Sequence, residues 1–377
     1  MKRVLQVLSG LSAGGAESMI MNIYRNLDHT KVQFDFCVFG NENGIFSEEV
    51  KKNGGNIFLM PSISKVGIIK YIQKVREVIK KNGPYDIVHS HIDYLSGFVL
   101  YAAKKEKVKT RIAHSHNTDA LTNKGRINPF LLSIIRIIIN ANATSFCACS
   151  RAAGEYMFGR NKGCSAVVIN NAIDLNRFSS GNKYSKDSQV KKLNLNIDSD
   201  TQIITHIGRF VEQKNHNAVI NIFKEYKKRH PNSLLLLLGE GPKKLEIEKK
   251  VEREGVSNVF FLGNRTDIPE ILNITSVFIL PSIYEGLPVT LIEAQAMGIP
   301  CVVSDTIKKD VDCGMNLISF VSTNDICSFV DEIYRSISRR KTESLYEIMT
   351  KKGYNIEENI CKINKLYNIS RKVTEEK

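Results

Sequence analysis

The sequence predicts an α/β protein built from two halves, each with a parallel sheet, and three observations lead to this prediction. The 377 residues are enough for two ordinary domains. Short, branched apolar runs alternate with helical patterns in both halves of the chain. Residues 277–305 contain a complete strand–loop–helix–strand unit, and a helix between two buried strands is typical of a parallel sheet. We therefore expect residues 1–178 and 200–355 to form two domains, joined by the polar stretch 179–200 as a hinge or surface excursion.

The composition is that of a soluble globular protein, with 42% hydrophobic and 24% charged residues. No apolar run reaches the roughly 20 residues that a membrane span needs, and the broken apolar run at the amino terminus indicates a first strand rather than a signal peptide. The eight cysteines are scattered without a C-x-x-C pair, which favours reduced thiols in the cytoplasm. The net charge of +14 predicts an anionic partner, and because no nucleic-acid-binding motif is visible, it favours phosphate and a membrane surface.

The first half of the chain begins with a strand that runs into a glycine-rich turn. The expected strands of this half are Lys2–Ser9, Gln33–Phe39, Asn56–Met60, Asp86–His89, Thr110–His114, Ser145–Ser150 and Ala166–Ile169. Helices are expected at Ser18–Leu27, near Glu48–Asn53 and at Lys65–Asn82. The turn after the first strand contains Gly14 and Gly15, and such a turn brings backbone N–H groups close to a bound anion. A tight turn without a ligand stays open as the alternative.

Two neighbouring predicted strands end in the same tripeptide, H-S-H. His89 and His91 end one strand, and His114 and His116 end the next. In open parallel sheets ligands bind at the carboxyl ends of the strands, so we expect a pocket there. A zinc site usually needs a third ligand at a defined spacing, and none is evident beside these pairs. The prediction is therefore polar pocket lining, with no metal.

Residues 128–140 predict an amphipathic helix, with Lys124 and Arg126 just upstream. The expected apolar face carries Phe130, Leu131, Ile134, Ile135, Ile138 and Ile139, and the opposite face carries Ser133, Arg136 and Asn140. A helix of this kind with basic flanks can lie in a membrane interface. A helix that faces the protein core has the same stripe, so both interpretations stay open.

The second half repeats the alternation, and its first strand ends beside two cations. The expected strands are Gln202–Ile207, Ser233–Leu238, Val259–Leu262, Val277–Leu280, Cys301–Val303 and Leu317–Val321. Arg209 and Lys214 follow the first of them, directly after Gly208. Arginine can fork across two phosphate oxygens while lysine acts as a point charge, so the pair predicts a phosphate site. Each residue taken singly would more often be surface.

The loop and helix that follow the predicted strand Val277–Leu280 contain two glutamates. A helical pattern begins near Pro288 and ends at Gly298. Glu285 precedes this helix and Glu293 lies about one turn inside it, so both can face one crevice. The helix N-terminus suits a phosphate, and a nearby carboxylate can accept hydrogen bonds from ribose or sugar hydroxyls. Two solvated glutamates are the alternative.

With Gly286, Leu287, Pro288 and Ala294, this stretch resembles the signature of the family 4 retaining glycosyltransferases. The resemblance extends from about residue 3 to about residue 367 through an ordered set of motifs: Gly14-Gly15, His116, Arg209 with Lys214, Gly239-x-Gly241, and Glu285 with Glu293. It implies the GT-B fold, in which two Rossmann-like domains face each other across a cleft. The first domain would bind the acceptor, the second would bind the nucleotide sugar, and residues 356–377 would pack back on the first. Residues 170–174 resemble the Asn-Gly-Val-Asp turn of the family, but Ala172 stands where glycine is usual, which questions the geometry of this turn more than the function.

The resemblance also implies roles for individual residues. The catalytic residues would be His116, Glu285, Arg209 and Lys214. The residues implied in donor binding are Gly14, Gly15, Arg209, Lys214, Gly239, Gly263, Arg265, Glu285, Gly286, Leu287, Pro288 and Glu293. His91 and His114 would line the acceptor site. In the family, the first glutamate lies near the donor sugar and the second binds the ribose, while the glycine at 263 and its neighbours lie against the base.

The function that this resemblance implies is the transfer of a sugar, with retention of configuration, from a nucleotide-diphosphate sugar to a hydroxyl of a glycan acceptor. No cofactor and no metal is expected. The basic charge and the helix at 128–140 favour a polyprenol-linked acceptor in capsule, exopolysaccharide or O-antigen synthesis, with the protein cytoplasmic and peripheral at an anionic inner membrane face. No nucleic-acid partner is expected. Two alternatives stay open: a GT-B epimerase or phosphorylase, and a non-enzymatic basic protein that binds nucleotides or nucleic acid.

Overall fold

The computed structural model describes residues 1–11, 14–39, 44–117, 121–122, 125–126, 128–178, 186–193, 195, 198, 200–341 and 344–369. The chain divides into two compact units. The first unit contains Met1–Ala172 together with Ile356–Lys377, and the second contains Ile173–Asn355. Within the described residues, no helix is both long enough and apolar enough to span a membrane.

The first unit is built on a sheet whose paired strands all run parallel. Its strands are β1 (Lys2–Leu8), β2 (Val32–Phe39), β3 (Ile57–Met60), β4 (Ile87–Ser90), β5 (Thr110–Ser115), β8 (Ser145–Ala148) and β9 (Val167–Val168). Their order in the sheet is β3-β2-β1-β4-β5-β8-β9. The strands β6 (Leu121–Thr122) and β7 (Gly125–Arg126) form a separate short hairpin. The helices are α1 (Gly15–Arg25), α2 (Ser47–Lys52), α3 (Ile63–Asn82), α4 (Ser96–Lys105), α5 (Pro129–Asn142), α6 (Arg151–Phe158) and α7 (Arg160–Cys164). The strand order reverses between β1 and β4, which is the point where open α/β sheets leave a crevice for a ligand.

The second unit repeats this architecture with a parallel sheet of its own. Its strands are β10 (Gln202–Ile207), β11 (Ser233–Leu238), β12 (Val259–Gly263), β13 (Val277–Leu280), β14 (Cys301–Ser304) and β15 (Ile318–Val321), in the order β12-β11-β10-β13-β14-β15. Its helices are α8 (Lys186–Lys192), α9 (His216–Arg229), α10 (Lys244–Arg253), α11 (Ile268–Ile274), α12 (Val289–Ala296), α13 (Ile326–Ile337) and α14 (Tyr346–Lys351). The order reverses between β10 and β13, which is again the position at which open α/β sheets leave a crevice for a ligand.

The predicted α/β fold with two parallel sheets is confirmed, and each predicted strand is present with ends that differ by at most two residues. Continuous apolar runs identified these strands because helices cover both faces of each sheet. All six residues of β11, for example, are buried. The questioned turn at Ala172 is formed without strain, because Ala172 is not among the residues with a positive φ. Of the predicted polar hinge, residues 179–185 lie outside the described residues, while 186–192 form α8.

The last helix, α15 (Ile356–Leu366), belongs to the first unit although it follows the second in the sequence. Its buried side chains Ile356 and Ile363 join the core that α1 forms on one face of the first sheet. Tyr367 directly follows the helix and is 1% exposed. The chain therefore returns to its first domain and places a tyrosine hydroxyl inside it.

The predicted face of α5 is wrong in one respect, because this helix has two apolar sides. Leu132 and Ile139 face the core, whereas four apolar side chains are exposed: Phe130 (74%), Leu131 (50%), Ile134 (38%) and Ile137 (68%). Ser133, Arg136 and Asn140 share one side of the helix, as predicted. Arg136 donates to the Tyr156 carbonyl and Asn140 donates to the Phe158 carbonyl, so both residues pack toward α6. Lys124, which the prediction places upstream, lies outside the described residues.

Candidate active site

In the second unit, the loops that follow β10 and β13 are tied together at the point where the strand order reverses. The Ile283 N–H donates to the Gln213 carbonyl at 2.8 Å, and the Gln213 side chain donates to the Tyr284 carbonyl at 3.0 Å. The Asn215 side chain donates to the Pro281 carbonyl at 3.1 Å. Asn215 itself has a left-handed backbone and caps α9. These bonds hold Lys214 and Glu285 at fixed positions on adjacent loops.

Lys214 and Glu285 form an ion pair at this point, with Nζ 2.6 Å from Oε1. Their side chains are only 17% and 6% exposed, respectively. Arg209, the other predicted cation, is exposed, and its guanidinium takes part in none of the hydrogen bonds or ion pairs found among the described residues. The two cations are therefore in different states, since Lys214 already has a carboxylate partner and Arg209 is available for an anion.

Glycines bring the loops after β10 and β11 into close backbone contact. A Cβ atom on Gly239, which has a φ of 134°, would overlap the Gly208 carbonyl. A Cβ atom on Gly241 would overlap the Phe210 backbone. The Gly239 N–H donates to the Gly263 carbonyl at 2.8 Å and so links the end of β12 to the same edge. Two predicted donor glycines, Gly239 and Gly263, thus lie at the ends of the adjacent strands β11 and β12.

Arg265, a predicted donor-binding residue, is held by a neighbouring carboxylate. Its guanidinium donates to both carboxylate oxygens of Asp267, at 2.8 and 2.6 Å, and Lys192 donates to the same carboxylate at 2.8 Å. Burial alone would raise the pKa of Asp267, but the hydrogen bonds from Arg265 and Lys192 outweigh it and lower that pKa below its usual range. Arg265 would have to leave this pair to contact a nucleotide.

The helix that follows the Glu285 loop, α12, starts beside two buried hydroxyls without partners. Pro288 caps its first turn without a side-chain hydrogen bond, and Glu293 is partly buried one turn further on. Neither the Ser282 hydroxyl nor the Thr290 hydroxyl has a partner among the described residues. An unpaired buried hydroxyl is costly, and a water molecule or a bound ligand would supply the missing partner. Both residues were missed at the sequence level, because isolated hydroxyls carry no pattern.

In the first unit, the four predicted histidines come together where the strand order reverses between β1 and β4. His89, His91, His114 and His116 form a cluster in which neighbouring ring centroids are 4.2 to 5.3 Å apart. Burial, aided by the neighbouring ring of His116, lowers the pKa of His89 to about 3, and burial lowers that of His116 to about 4. Burial and neighbouring rings also bring the pKa values of His91 and His114 well below the ordinary value. The cluster is therefore uncharged at neutral pH.

A glutamine and a tyrosine that were not predicted bind this cluster. The Gln6 side chain accepts a hydrogen bond from Nε2 of His91 at 2.9 Å and donates to the Tyr367 hydroxyl at 3.0 Å. Nδ1 of His91 is 3.0 Å from Nε2 of His116. The sequence offers no signal for these contacts, since Gln6 and Tyr367 are at opposite ends of the chain.

Asp93 fixes the backbone at the end of β5. Its carboxylate accepts from the His116 N–H at 2.9 Å and from the Asn117 side chain at 2.6 Å. Burial raises the pKa of this carboxyl to about 6 in spite of these hydrogen bonds. Asp93 has a left-handed backbone, with a φ of 44°, which an L-residue seldom adopts. The Asp93 carboxylate therefore holds the backbone of His116 and the side chain of Asn117 in place.

Gly14 and Gly15 start α1, whose N-terminus already has a carboxylate of its own. Glu17 is 6% exposed and accepts a hydrogen bond from the Ser9 hydroxyl at 2.8 Å. A Cβ atom on Gly14 would overlap the Glu17 carboxylate. Residues 12 and 13 of the predicted turn lie outside the described residues. An anion at this helix end would therefore meet the negative charge of Glu17.

The fold brings a third candidate metal ligand beside these histidines, which the spacing in the sequence does not reveal. Candidate ligand nitrogens of His91, His114 and His116 all lie within 4.8 Å of one another. However, Nδ1 of His91 and Nε2 of His116 share one hydrogen bond, so one of these nitrogens carries a proton and the lone pair of the other is already used. Hydrogen bonding accounts for this geometry, and the absence of a metal stays a prediction.

Two family models match the chain. Residues 13–177 match Glycosyltransferase Family 4, and residues 187–352 match Glycosyl transferases group 1. The chain is 38% identical to the putative glycosyltransferase EpsF of Bacillus subtilis (strain 168), with 98% of this chain and 97% of that protein covered. It is 25% identical to the UDP-Gal:alpha-D-GlcNAc-diphosphoundecaprenol alpha-1,3-galactosyltransferase of Escherichia coli, with 89% of each chain covered. It also resembles the solved structure of Anabaena Alr3699/HepE in complex with UDP and glucose, with a TM-score of 0.71, 16% identity, and 98% of this chain and 100% of that chain covered.

Proposed function

Because the chain belongs to glycosyltransferase family 4, we propose that it transfers a sugar from a nucleotide-diphosphate donor to a hydroxyl of a lipid-linked glycan, with retention of configuration. The chain is a glycosyltransferase, and the predicted GT-B fold is confirmed. GT-B enzymes of this kind are metal-independent. Protein groups must then stabilise the charge that develops on the departing diphosphate.

The buried Lys214–Glu285 pair carries this proposal. As the glycosidic bond breaks, negative charge develops on the β-phosphate, and preorganised cations and N–H groups stabilise such charge most effectively. Lys214, the exposed Arg209 and the N-terminus of α12 would supply them. Glu285 would keep Lys214 in place in the free enzyme and accept hydrogen bonds from donor sugar hydroxyls. The unpaired hydroxyls of Ser282 and Thr290 would gain partners in the same step.

His116 would act next to the transferred sugar. A covalent route needs a nucleophilic carboxylate close to the reacting carbon, and Glu285 is occupied by its ion pair with Lys214. A transfer in which the departing phosphate accepts the proton of the acceptor hydroxyl needs no such nucleophile. His116, which is neutral because burial lowers its pKa to about 4, would then orient a sugar hydroxyl by hydrogen bonding.

The acceptor assignment rests on the exposed apolar side of α5. Phe130, Leu131, Ile134 and Ile137 expose apolar surface along one helix, and clustered apolar exposure indicates a protein or membrane contact. The helix starts at the carboxyl edge of the first sheet, the edge at which the histidines lie. The E. coli relative is named for an acceptor linked to diphosphoundecaprenol. With a net charge of +14, the protein would bind at the anionic inner face of the cell membrane.

Turnover with defined donors and a lipid-linked acceptor tests the reaction. A thermal-shift panel of nucleotide sugars selects the donor, and N-acetylglucosamine linked to diphosphoundecaprenol serves as the first acceptor. We expect nucleoside diphosphate to appear only when the acceptor is present, and nuclear magnetic resonance of the glycan should show the anomeric configuration of the donor. Conversion of the nucleotide sugar without acceptor would instead identify an epimerase or phosphorylase. An inverted product would refute the retaining assignment.

Flotation with anionic liposomes tests the membrane contact. We expect the wild-type protein to float with vesicles that contain phosphatidylglycerol, and Ile134→Asp together with Ile137→Asp should abolish flotation. The matched control is Ile348→Asp on α14 in the second unit, because Ile348 is 41% exposed and Ile134 is 38% exposed. Equal flotation of both variants, or none with the wild type, would defeat this part of the proposal.

A further inference from the structure

The histidine cluster contains two branches of hydrogen bonds that meet at Gln6 and Tyr367. Gln6 lies on β1 and is 1% exposed, and Tyr367 follows α15 and is 1% exposed. One branch runs from Gln6 through His91 to His116. Gln6 and Tyr367 are also bonded to each other, at 3.0 Å. The amide of Gln6 therefore connects Tyr367, which directly follows α15, to His116, which directly follows β5.

The donors and acceptors in the first branch can be assigned one after another. The Gln6 NH₂ group donates to the Tyr367 oxygen, so its carbonyl oxygen faces His91 and can only accept. Nε2 of His91 must then carry a proton, and in a neutral ring this leaves a lone pair on Nδ1. That lone pair accepts from Nε2 of His116, 3.0 Å away. His116 is thus protonated on Nε2, and its Nδ1 has the free lone pair.

The second branch has the same direction. The Tyr367 oxygen already accepts from Gln6, so its O–H donates to Nδ1 of His89, 2.8 Å away. Nε2 of His89 then donates to Nδ1 of His114 at 3.2 Å. Nε2 of His114 is left with a proton and has no partner among the described residues. If the Gln6 amide were turned round, every proton in both branches would move to the other nitrogen of its ring.

We propose that Gln6, His91 and Tyr367 are positioning residues that set the ring proton of His116 on Nε2 and so present its Nδ1 as a hydrogen-bond acceptor to the substrate. This inference rests on the proposed function, in which His116 contacts the transferred sugar. A ring with a fixed lone pair accepts a hydrogen bond from a sugar hydroxyl, whereas the other tautomer would donate one. Because the branches are buried, the arrangement is cooperative, and the loss of one member disturbs the others.

Two substitutions interrupt the branch without touching His116. Gln6→Leu removes the acceptor that faces His91, and Tyr367→Phe removes the oxygen that orients the Gln6 amide. The matched control is Tyr71→Phe, because the Tyr71 hydroxyl is also buried in the first unit but has no hydrogen-bond partner among the described residues. Selective ¹⁵N labelling of histidine then allows the tautomer of each ring to be read directly by nuclear magnetic resonance, without substrate. His116→Gln assigns the signal.

The wild-type protein should show His116 protonated on Nε2. Gln6→Leu and Tyr367→Phe should give a mixture of the two His116 tautomers, and Tyr71→Phe should leave the signal unchanged. In turnover, the first two variants should lose about ten- to a hundredfold in kcat, with the KM for the nucleotide sugar within twofold of the wild type. A wild-type His116 protonated on Nδ1, or an unchanged tautomer in both variants, would overturn the inference. The tautomers are measured without turnover, so the two results are independent. A protein without transferase activity would refute the proposed function, whereas the tautomer of His116 would still be known.

Discussion

Mild acid should destabilise the first unit more than the second, because the two units bury different numbers of neutral histidines. Burial lowers the folded-state pKa of four histidines in the first unit and of His206 and His216 in the second. The folded protein therefore binds fewer protons than the unfolded chain below pH 6.5. Stability is complete above that pH and is lost as the pH falls through it.

The magnitude follows from the pKa of an unfolded histidine. Between pH 8 and pH 5.5, each histidine that stays neutral in the folded state costs about 1.4 kcal/mol of unfolding free energy. Four such groups cost the first unit about 6 kcal/mol. Asp93 acts in the opposite direction, because its pKa is raised to about 6 and the folded state binds its proton more readily, which offsets roughly 1 kcal/mol. The expected losses are thus about 5 kcal/mol for the first unit and about 3 kcal/mol for the second.

Urea unfolding that resolves the two units measures this difference. After equilibration in urea at either pH, a brief hydrogen-exchange pulse labels unfolded segments, and mass spectrometry assigns the peptides to the first unit (residues 1–172 and 356–377) or to the second (residues 173–355). His114→Gln should reduce the loss in the first unit by about 1.4 kcal/mol and leave the second unchanged, and His206→Gln should do the reverse. If the stability of the first unit changes by less than about 1 kcal/mol between the two pH values, the histidines are not buried as neutral groups and the reasoning is refuted.

Three further predictions concern single charged groups. Arg209→Ala should lose about 2–4 kcal/mol of transition-state stabilisation, measured as kcat/KM, with unchanged urea stability, and near-normal turnover would remove Arg209 from the mechanism. Lys214→Ala should lose as much activity and also about 3–5 kcal/mol of stability, because Glu285 remains buried without its partner. The control is Lys224→Ala, at a more exposed ion pair. It should change neither the transition-state stabilisation nor the stability by more than about 1 kcal/mol. Asp93→Asn should raise the stability at pH 8 by about 1–3 kcal/mol, since asparagine suits the left-handed backbone and carries no buried charge, and this gain should disappear by pH 4. A gain independent of pH would contradict the raised pKa.

The strands could be predicted from the sequence because burial on both faces leaves continuous apolar runs such as β11. The core-facing side of α5 could not be predicted from the sequence. A helix with a single apolar side has one periodic stripe, whereas α5 buries Leu132 and Ile139 and exposes Phe130 and Ile137 on another side. Two overlapping stripes appear in the sequence as one broad stripe.

The candidate site was predicted where motifs are local and missed where contacts span the chain. Lys214 and Glu285 were both predicted, but their 2.6 Å contact depends on the adjacency of β10 and β13, which no spacing encodes. Gln6 and Tyr367 were missed, because a glutamine in a strand and a tyrosine after the last helix carry no motif. Only the return of α15 to the first unit brings them together.

The two units repeat one topology and place opposite chemistry at the same topological position. At the reversal of strand order, the second unit has a buried ion pair and an exposed arginine, which suit the charged diphosphate of a donor. The first unit has four imidazoles that burial keeps neutral. A site that suppresses charge in this way would repel neither sign strongly and would select hydroxyl groups by hydrogen bonding. Because the two sheets follow the same strand order about the reversal, the preference of the second unit for a diphosphate and of the first unit for a sugar would come from side chains. Gln6, whose amide orients the histidines, would be the residue on which the site in the first unit depends.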